Sequence, residues 1–167
     1  MISGMYLGEI TRIICVDLIK KGKLFHGKIS SKFDTPHSFD TAYMSRIERD
    51  HSKDLSDTAS VLDDLMGVPN PDVLSRQIVK RICELVGVRA ARMSAVGIAG
   101  VVAKMGKLPG CDIAVDGSVF QHYPHFQNRM RDALAEIFGM QAENITFNLT
   151  QDGSGVGAAL IAAVVKK

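Results

Sequence analysis

The sequence predicts an α/β fold, and three observations carry that prediction. The last third reads strand, helix, strand, helix. Everything before it is helical in period wherever it is periodic. Both strand-like runs also give way toward helices through the same tripeptide, Asp116-Gly117-Ser118 and Asp152-Gly153-Ser154. Two strands joined by a helix are parallel neighbours with a right-handed crossover, so helices and parallel strands together make α/β the class.

Taken in order, "MISGMYLGEITRIICVDLIKKG" is amphipathic from Ile2 onward, with Ile2, Tyr6, Ile10 and Ile13 tracing one helical face. Lys20, Lys21 and Gly22 form a C-terminal stop. No residue ahead of Ile2 serves as a cap, and such a start is expected of a helix cut from a longer chain. "KLFHGKISSKFDTPHSFD" has no period and reads as a loop. A helix follows at Thr41, capped by Asp40. "DLSDTASVLDDLMG" is a short helix capped near Ser56 and stopped at Gly67, and "VPNP" breaks the pattern. Asp72 caps a long helical stretch that reaches Met105 and that Gly87 can divide in two. Its second half carries small residues at Ala90, Ala91, Ala95, Gly97, Ala99 and Gly100, which suggests burial against a sheet. The final third supplies the strand "CDIAVDG", a helix with Pro124 near its first turn and Gly139 at its end, the strand "NITFNLTQDG", and the helix "GSGVGAALIAAVVKK".

The bulk numbers narrow the class of function. The chain has 167 residues, is 46% hydrophobic and 23% charged, and has a net charge of +2. That is an ordinary soluble domain. Basic residues never run longer than a pair, and seven Phe with three Tyr are thinly spread. No nucleic-acid groove is expected. Cys15, Cys83 and Cys111 are odd in number and widely spaced, which fits reduced structural thiols in a cytoplasmic protein. The longest apolar tract, "GAALIAAVV", is far short of a membrane span. Met1 is followed by no secretory pattern.

Candidate chemistry is sparse. In open parallel sheets, ligands bind at the carboxyl ends of the strands. Asp116-Gly117-Ser118 is therefore either a nucleotide- or phosphate-facing edge or simply a good turn. "GSGVGAAL" opens a helix that could take an anion, but it matches neither phosphate-loop pattern, and close packing explains its glycines. His122 and His125 lack partners for a metal site. Asp63 and Asp64 point apart on a helix. Arg89 and Arg92 read as a solvated stripe with Glu84.

Three stretches together resemble a known family. "MISGMYLGEITR", "RAARMSAVGIAGVV" with "IAVDGSVFQHYPHF", and "QDGSGVGAALIAAV" look like the C-terminal part of the large lobe of hexokinases and glucokinases. "GKLFHG" and "FDTAYMSRIERD" fit between them. The resemblance spans residues 1–167 as a single partial domain. It implies a helix-rich part of an actin-like ATPase (ribonuclease H-like) lobe with a few parallel strands. The implied activity is transfer of the γ-phosphate of Mg-ATP to the 6-hydroxyl of a hexose such as glucose, the first step of glycolysis. ATP and Mg2+ are the implied cofactors.

The resemblance also assigns residues. Ser94 to Val102 is similar to the small-residue helix that precedes the adenosine motif. Asp116, Gly117 and Ser118 are similar to that motif, and Val119, Phe120, Gln121 and His122 continue along the nucleotide. Gly4 and Met5 contact ATP, and Thr41 and Ser45 supply hydroxyls. A lysine is common where Gln121 stands, which leaves Gln121 contact only, and a basic residue is common where Val156 stands. The family's catalytic Asp, its sugar-binding set and its N-terminal phosphate loop fall outside these 167 residues, so no catalytic residue is assigned and the chain alone is expected to be inactive. The alternative is a non-catalytic nucleotide-binding or sugar-sensing protein derived from such a kinase.

Overall fold

Ser3 opens the first helix. In the computed structural model, which describes residues 2–106 and 110–165, helix α1 spans Gly4–Lys20, and the Ser3 hydroxyl accepts from the Met5 N–H at 3.3 Å. The expected uncapped start at Ile2 is thus corrected, because the cap lies inside the apolar pattern rather than ahead of it. The buried face is also not the expected one. Leu7, Gly8, Thr11, Arg12, Cys15 and Ile19 face inward, whereas Tyr6 and Ile13 are exposed. The two faces differ by a one-residue shift, which rotates a helix by about 100°. Two polar residues hide the true face. The Thr11 hydroxyl lies 3.3 Å from Met44 Sδ, and Arg12 donates to both Glu9 oxygens at 2.7 Å and to the Phe33 carbonyl at 2.5 Å.

The segment expected as loop holds a 3-10 turn, Phe25–Gly27, and a four-residue helix α2, Ser31–Asp34, capped by Ser30. Helix α3, Thr41–Glu48, is capped by Asp40 as expected, with Ala42 N–H donating to its carboxylate at 2.8 Å. Helix α4, Ser56–Ser60, runs on into a π turn over Val61–Leu65, and Gly67 ends it at φ 64°. Its N-cap position is Leu55, beside Ser56 as expected, and the free N–H groups of its first turn are met by Ser52 Oγ, which accepts from Ser56 N–H at 3.0 Å, and by Asp50, which accepts from Thr58 N–H at 2.7 Å.

Helix α5, Val73–Lys104, is one unbroken helix of 32 residues capped by Asp72. Gly87 does not divide it. A Cβ at Gly87 would lie 2.8 Å from Arg129 Nη1, Glu48 Oε1 and Tyr123 Cε1, so the glycine admits a polar cluster to the helix surface. Over 18 residues the mean hydropathy of α5 reaches 1.5, enough by length and composition to cross a membrane. Yet Val79, Cys83, Val86, Ala90, Ala91 and Ala95 are buried in the protein core. Its main packing partners are α1, α3 and α7. The small-residue face therefore meets helices more than a sheet, and Gly97 and Gly100 have open space where a Cβ would sit.

The final third follows the expected order with two additions, a short helix after the first strand and a 3-10 turn, Gly139–Asn144, before the second. Strand β1, Cys111–Val115, pairs in parallel with β2, Ile145–Leu149, in register from Cys111–Ile145 to Val115–Leu149. Between them lie a short helix α6, Ser118–His122, and helix α7, Phe126–Phe138. Pro124 falls between these two helices, two residues before α7 and so near its first turn as expected, and Gly139 ends α7 at φ 60°. Cys111, Ile113 and Val115 turn one sheet face toward the helices, while Asp112, Ala114, Thr146 and Asn148 lie on the exposed face. Helix α8, Gly153–Val165, has no buried residue.

Candidate functional site

Three distant segments converge on one cleft. The N-terminus of α1 brings Gly4, the outer face of α3 brings Thr41, Ser45, Arg46 and Arg49, and α6 brings Ser118, Val119 and His122. The cleft encloses about 690 Å³, and Asp40, Ala42, Asp57 and Tyr123 complete its lining. A second cleft of about 540 Å³ lies across the Gly4–Val119 contact and is walled by Asp116, Gly117, Ser94 and Gly97. Gly4, Ser118 and Val119 face both. Gly4 is needed there, because a Cβ would sit 2.8 Å from Val119 Cγ2.

Thr41, Ser45 and Arg49 follow one another at four-residue intervals and so share one face of α3. Thr41 is not free to serve a ligand fully. Its hydroxyl donates to the Gly4 carbonyl and accepts from the Gly8 N–H at 3.0 Å. This pins α1 to α3 at the cleft floor. Gly8 makes the same approach possible, since a Cβ there would be 2.0 Å from the Phe39 carbonyl oxygen. Ser45 is half-buried, and its hydroxyl has no partner among the described residues. Arg46 donates through Nε to Asp57 Oδ1 at 2.8 Å, and its Nη2 contacts the same oxygen. Arg49 Nη2 donates to the His122 carbonyl at 2.6 Å and meets no carboxylate among the described residues. Among the described lining residues, Arg46 is thus matched by Asp57, while Arg49 has no carboxylate partner and Asp40 caps α3.

The first Asp-Gly-Ser unit does two things. Gly117 sits at φ 155°, a conformation that side-chain-bearing residues rarely adopt, and turns the chain from β1 into α6. Asp116 accepts from the Gly153 N–H at 3.3 Å. The two repeated tripeptides therefore touch, and the parallel register explains it, because Val115 and Leu149 are the last partners of the two strands, one residue before Asp116 and three before Asp152. Asp152 lies against the first turn of α8, where a Cβ on Gly155 would be 2.5 Å from its Oδ1. Carboxylates already occupy the start of α8, which favours the turn reading of "DGSGVG" over an anion site.

Of the eleven residues singled out from the sequence, Gly4, Thr41, Ser45, Ser118, Val119 and His122 line the first cleft. Asp116, Gly117 and Phe120 line the second, with Phe120 itself buried. Met5 is 77% exposed and lines neither cleft, and Gln121 lines only a small hollow beside α7. The sequence reading missed Arg46, Arg49 and Tyr123. The i, i+4 spacing from Ser45 was the available signal for Arg49. Arg92 stays half exposed, as expected of a solvated stripe, and pairs with Glu136 on α7 through Nη1 and Nη2, at 2.8 and 2.5 Å.

Burial raises the Cys15 thiol to about 12 and pushes Cys83 well above its ordinary value, so both stay protonated. At Asp50, burial alone would raise the pKa. Hydrogen bonds from the Ser52 hydroxyl and from the Thr58 N–H and hydroxyl outweigh it and hold the group at about 2. Among the described residues, no three His, Cys, Asp or Glu side chains gather as a metal site.

The hexokinase family model matches residues 1–164. The chain belongs to the hexokinase family. Hexokinase-2 of Saccharomyces cerevisiae is 42% identical over 172 residues, covering 100% of this chain and 35% of that protein. Hexokinase-1 of Spinacia oleracea is 40% identical over 171 residues, covering 98% of this chain and 34% of that one. The solved hexokinase from Schistosoma mansoni complexed with glucose superposes with a TM-score of 0.88 at 35% identity, over 97% of this chain and 36% of that chain. The chain spans about a third of the length of the curated relatives it matches. The fold is accordingly a helix-rich part of an actin-like ATPase lobe, as the resemblance implied.

Proposed function

We propose that this chain supplies the adenosine side of the MgATP site in an ATP-dependent hexose phosphorylation, as the C-terminal portion of a hexokinase large lobe. One observation carries the reading. In a chain of this family, a single cleft gathers Gly4, Ser45, Ser118, Val119 and His122 from segments more than thirty residues apart, beside an unpaired Arg49. The Ser45 hydroxyl and the Arg49 guanidinium offer hydrogen bonds and positive charge to a polar, anionic ligand. The Gly117 turn brings backbone to the adjoining second cleft, which shares Gly4, Ser118 and Val119 with the first.

ATP supplies the phosphoryl group, and this chain's residues bind and orient it. Magnesium would be held by the phosphates, water and groups beyond this chain, since no metal cluster forms among the described residues. Asp40 caps α3 and Asp57 is held by Arg46, so neither carboxylate is available to take a hydroxyl proton. The chain alone is therefore expected to phosphorylate no glucose. Buried, protonated thiols at Cys15 and Cys83 suit a reducing compartment such as the cytoplasm.

Calorimetric titration of the 167-residue chain with MgADP and MgATP tests the reading. Saturable binding that a Ser118→Phe substitution weakens, with the fold kept, supports it. Absence of binding by the folded chain, or binding indifferent to Ser118→Phe, overturns it. In a full-length hexokinase carrying this segment, the same substitution should raise the KM for ATP more than that for glucose.

A further inference from the structure

The short helix α6 walls the cleft, yet five residues cannot hold a helix by themselves. Its position must come from what grips its ends. At the N-terminal end, Val119 abuts Gly4 with no room for a Cβ. Along its buried side, Phe120 packs edge-on against Phe147 of β2, with ring centres 5.7 Å apart. At the C-terminal end, the last residue of α3 and the one that follows it take hold. Arg49 reaches the His122 carbonyl at 2.6 Å, and Glu48 accepts from the Tyr123 hydroxyl.

Glu48 is the unusual member. It is 4% exposed and lines neither cleft, so it can act on a ligand only through other groups. Its second oxygen accepts from Arg129 Nη2 on α7 at 2.7 Å. Lys80 of α5 donates to its backbone carbonyl at 2.7 Å. Gly87 opens the surface of α5 to this group. A buried ion pair is a poor source of net stability, because desolvation offsets its attraction. A carboxylate that ties the end of α3 to the end of α6 and to α7 does serve geometry.

We infer that Glu48 is a positioning residue: through Tyr123 and Arg129 it sets where α6 sits against α3, and so the width of the cleft between Ser45 and Ser118. The inference deepens the proposed function, since the ligand concerned is the nucleotide of that cleft.

The test compares the wild-type chain with Glu48→Gln, Tyr123→Phe and Glu9→Gln. Glu9 makes a similarly shielded pair with Arg12, away from α6, and serves as the control. Two quantities are measured: the dissociation constant for MgADP, and amide hydrogen exchange across residues 119–123. Glu48→Gln should raise the dissociation constant about tenfold and Tyr123→Phe about threefold, the scale of one lost charge-assisted bond. Both should speed exchange at 119–123, and Glu9→Gln should change neither. Unchanged exchange at 119–123 in Glu48→Gln and Tyr123→Phe overturns the inference, as does an equal change in Glu9→Gln. If Glu48→Gln does not fold, Tyr123→Phe, which removes one hydroxyl, decides. If the wild-type chain binds no MgADP, the nucleotide reading falls, and the exchange result alone decides the positioning role.

Discussion

The helical body and the C-terminal strand–helix unit treat apolar residues in opposite ways. In the body, Leu7, Phe33, Met44, Val79 and Cys83 are fully buried, and even Arg12, Glu48 and Asp50 are nearly so. In α8, the apolar residues Leu160, Ile161 and Val164 are 62%, 67% and 76% exposed. Apolar composition therefore does not decide burial here. What decides it is whether a second surface stands opposite. Helices α1, α3 and α7 pack around α5, whereas α8 follows β2 in the chain, has no buried residue and meets Asp116 through the Gly153 N–H.

The largest expected effect comes from one residue type placed in both regions. Leu134 of α7 is 1% exposed, and Leu160 of α8 is 62% exposed. Leu134→Ala should cost about 3–4 kcal/mol in urea unfolding, because it leaves a cavity in a packed core. Next is Gly8→Ala. Its new methyl would meet the Phe39 carbonyl oxygen at 2.0 Å and the Thr41 nitrogen at 2.8 Å, both backbone atoms that cannot swing aside. A loss of about 3 kcal/mol is expected. A variant as stable as the wild type would mean that α1 and α3 are not docked as described.

Acid sharpens the comparison further, because Asp50 belongs to the body. Its folded pKa of about 2 lies below the ordinary 3.8. A depressed carboxylate stabilises the fold above its unfolded pKa, and that contribution is lost as pH falls through the folded one. The wild type should exceed Asp50→Asn by about 2 kcal/mol above pH 4, and the gap should close between about pH 4 and pH 2. A gap independent of pH in that window would show that the Ser52 and Thr58 hydrogen bonds do not depend on the charge.

How much of this was legible in the sequence follows the same division. Caps were legible, because Asp40 and Asp72 act through neighbouring backbone. The parallel pair was legible from strand–helix–strand order. The phase of α1 was not, since Thr11 and Arg12 occupy a buried face through bonds to Met44, Glu9 and Phe33, and only two of these three partners lie beyond α1. Gly87 looked like a helix break because its reason for being glycine is a cluster of Glu48, Tyr123 and Arg129, all far from it in sequence. In the cleft, Gly4, Ser45 and Ser118 were placed by resemblance. Arg49 escaped because its partner, the His122 carbonyl, is seventy-three residues distant.

The smallest expected effect tests the comparison most directly. Leu160→Gln in α8 replaces an apolar side chain that faces solvent, so neither a cavity nor a lost contact follows. Its stability should stay within about 0.5 kcal/mol of the wild type in the 167-residue chain. Solubility should rise, since the substitution interrupts an exposed apolar row formed by Val156, Leu160, Ile161 and Val164. The same change made in a full-length hexokinase carrying this segment separates two accounts of that row. If further chain covers α8 there, Leu160→Gln should cost more than 1 kcal/mol, as burying an unpaired amide does. If the cost remains near zero in both settings, α8 faces solvent in both, and its composition needs a reason other than packing.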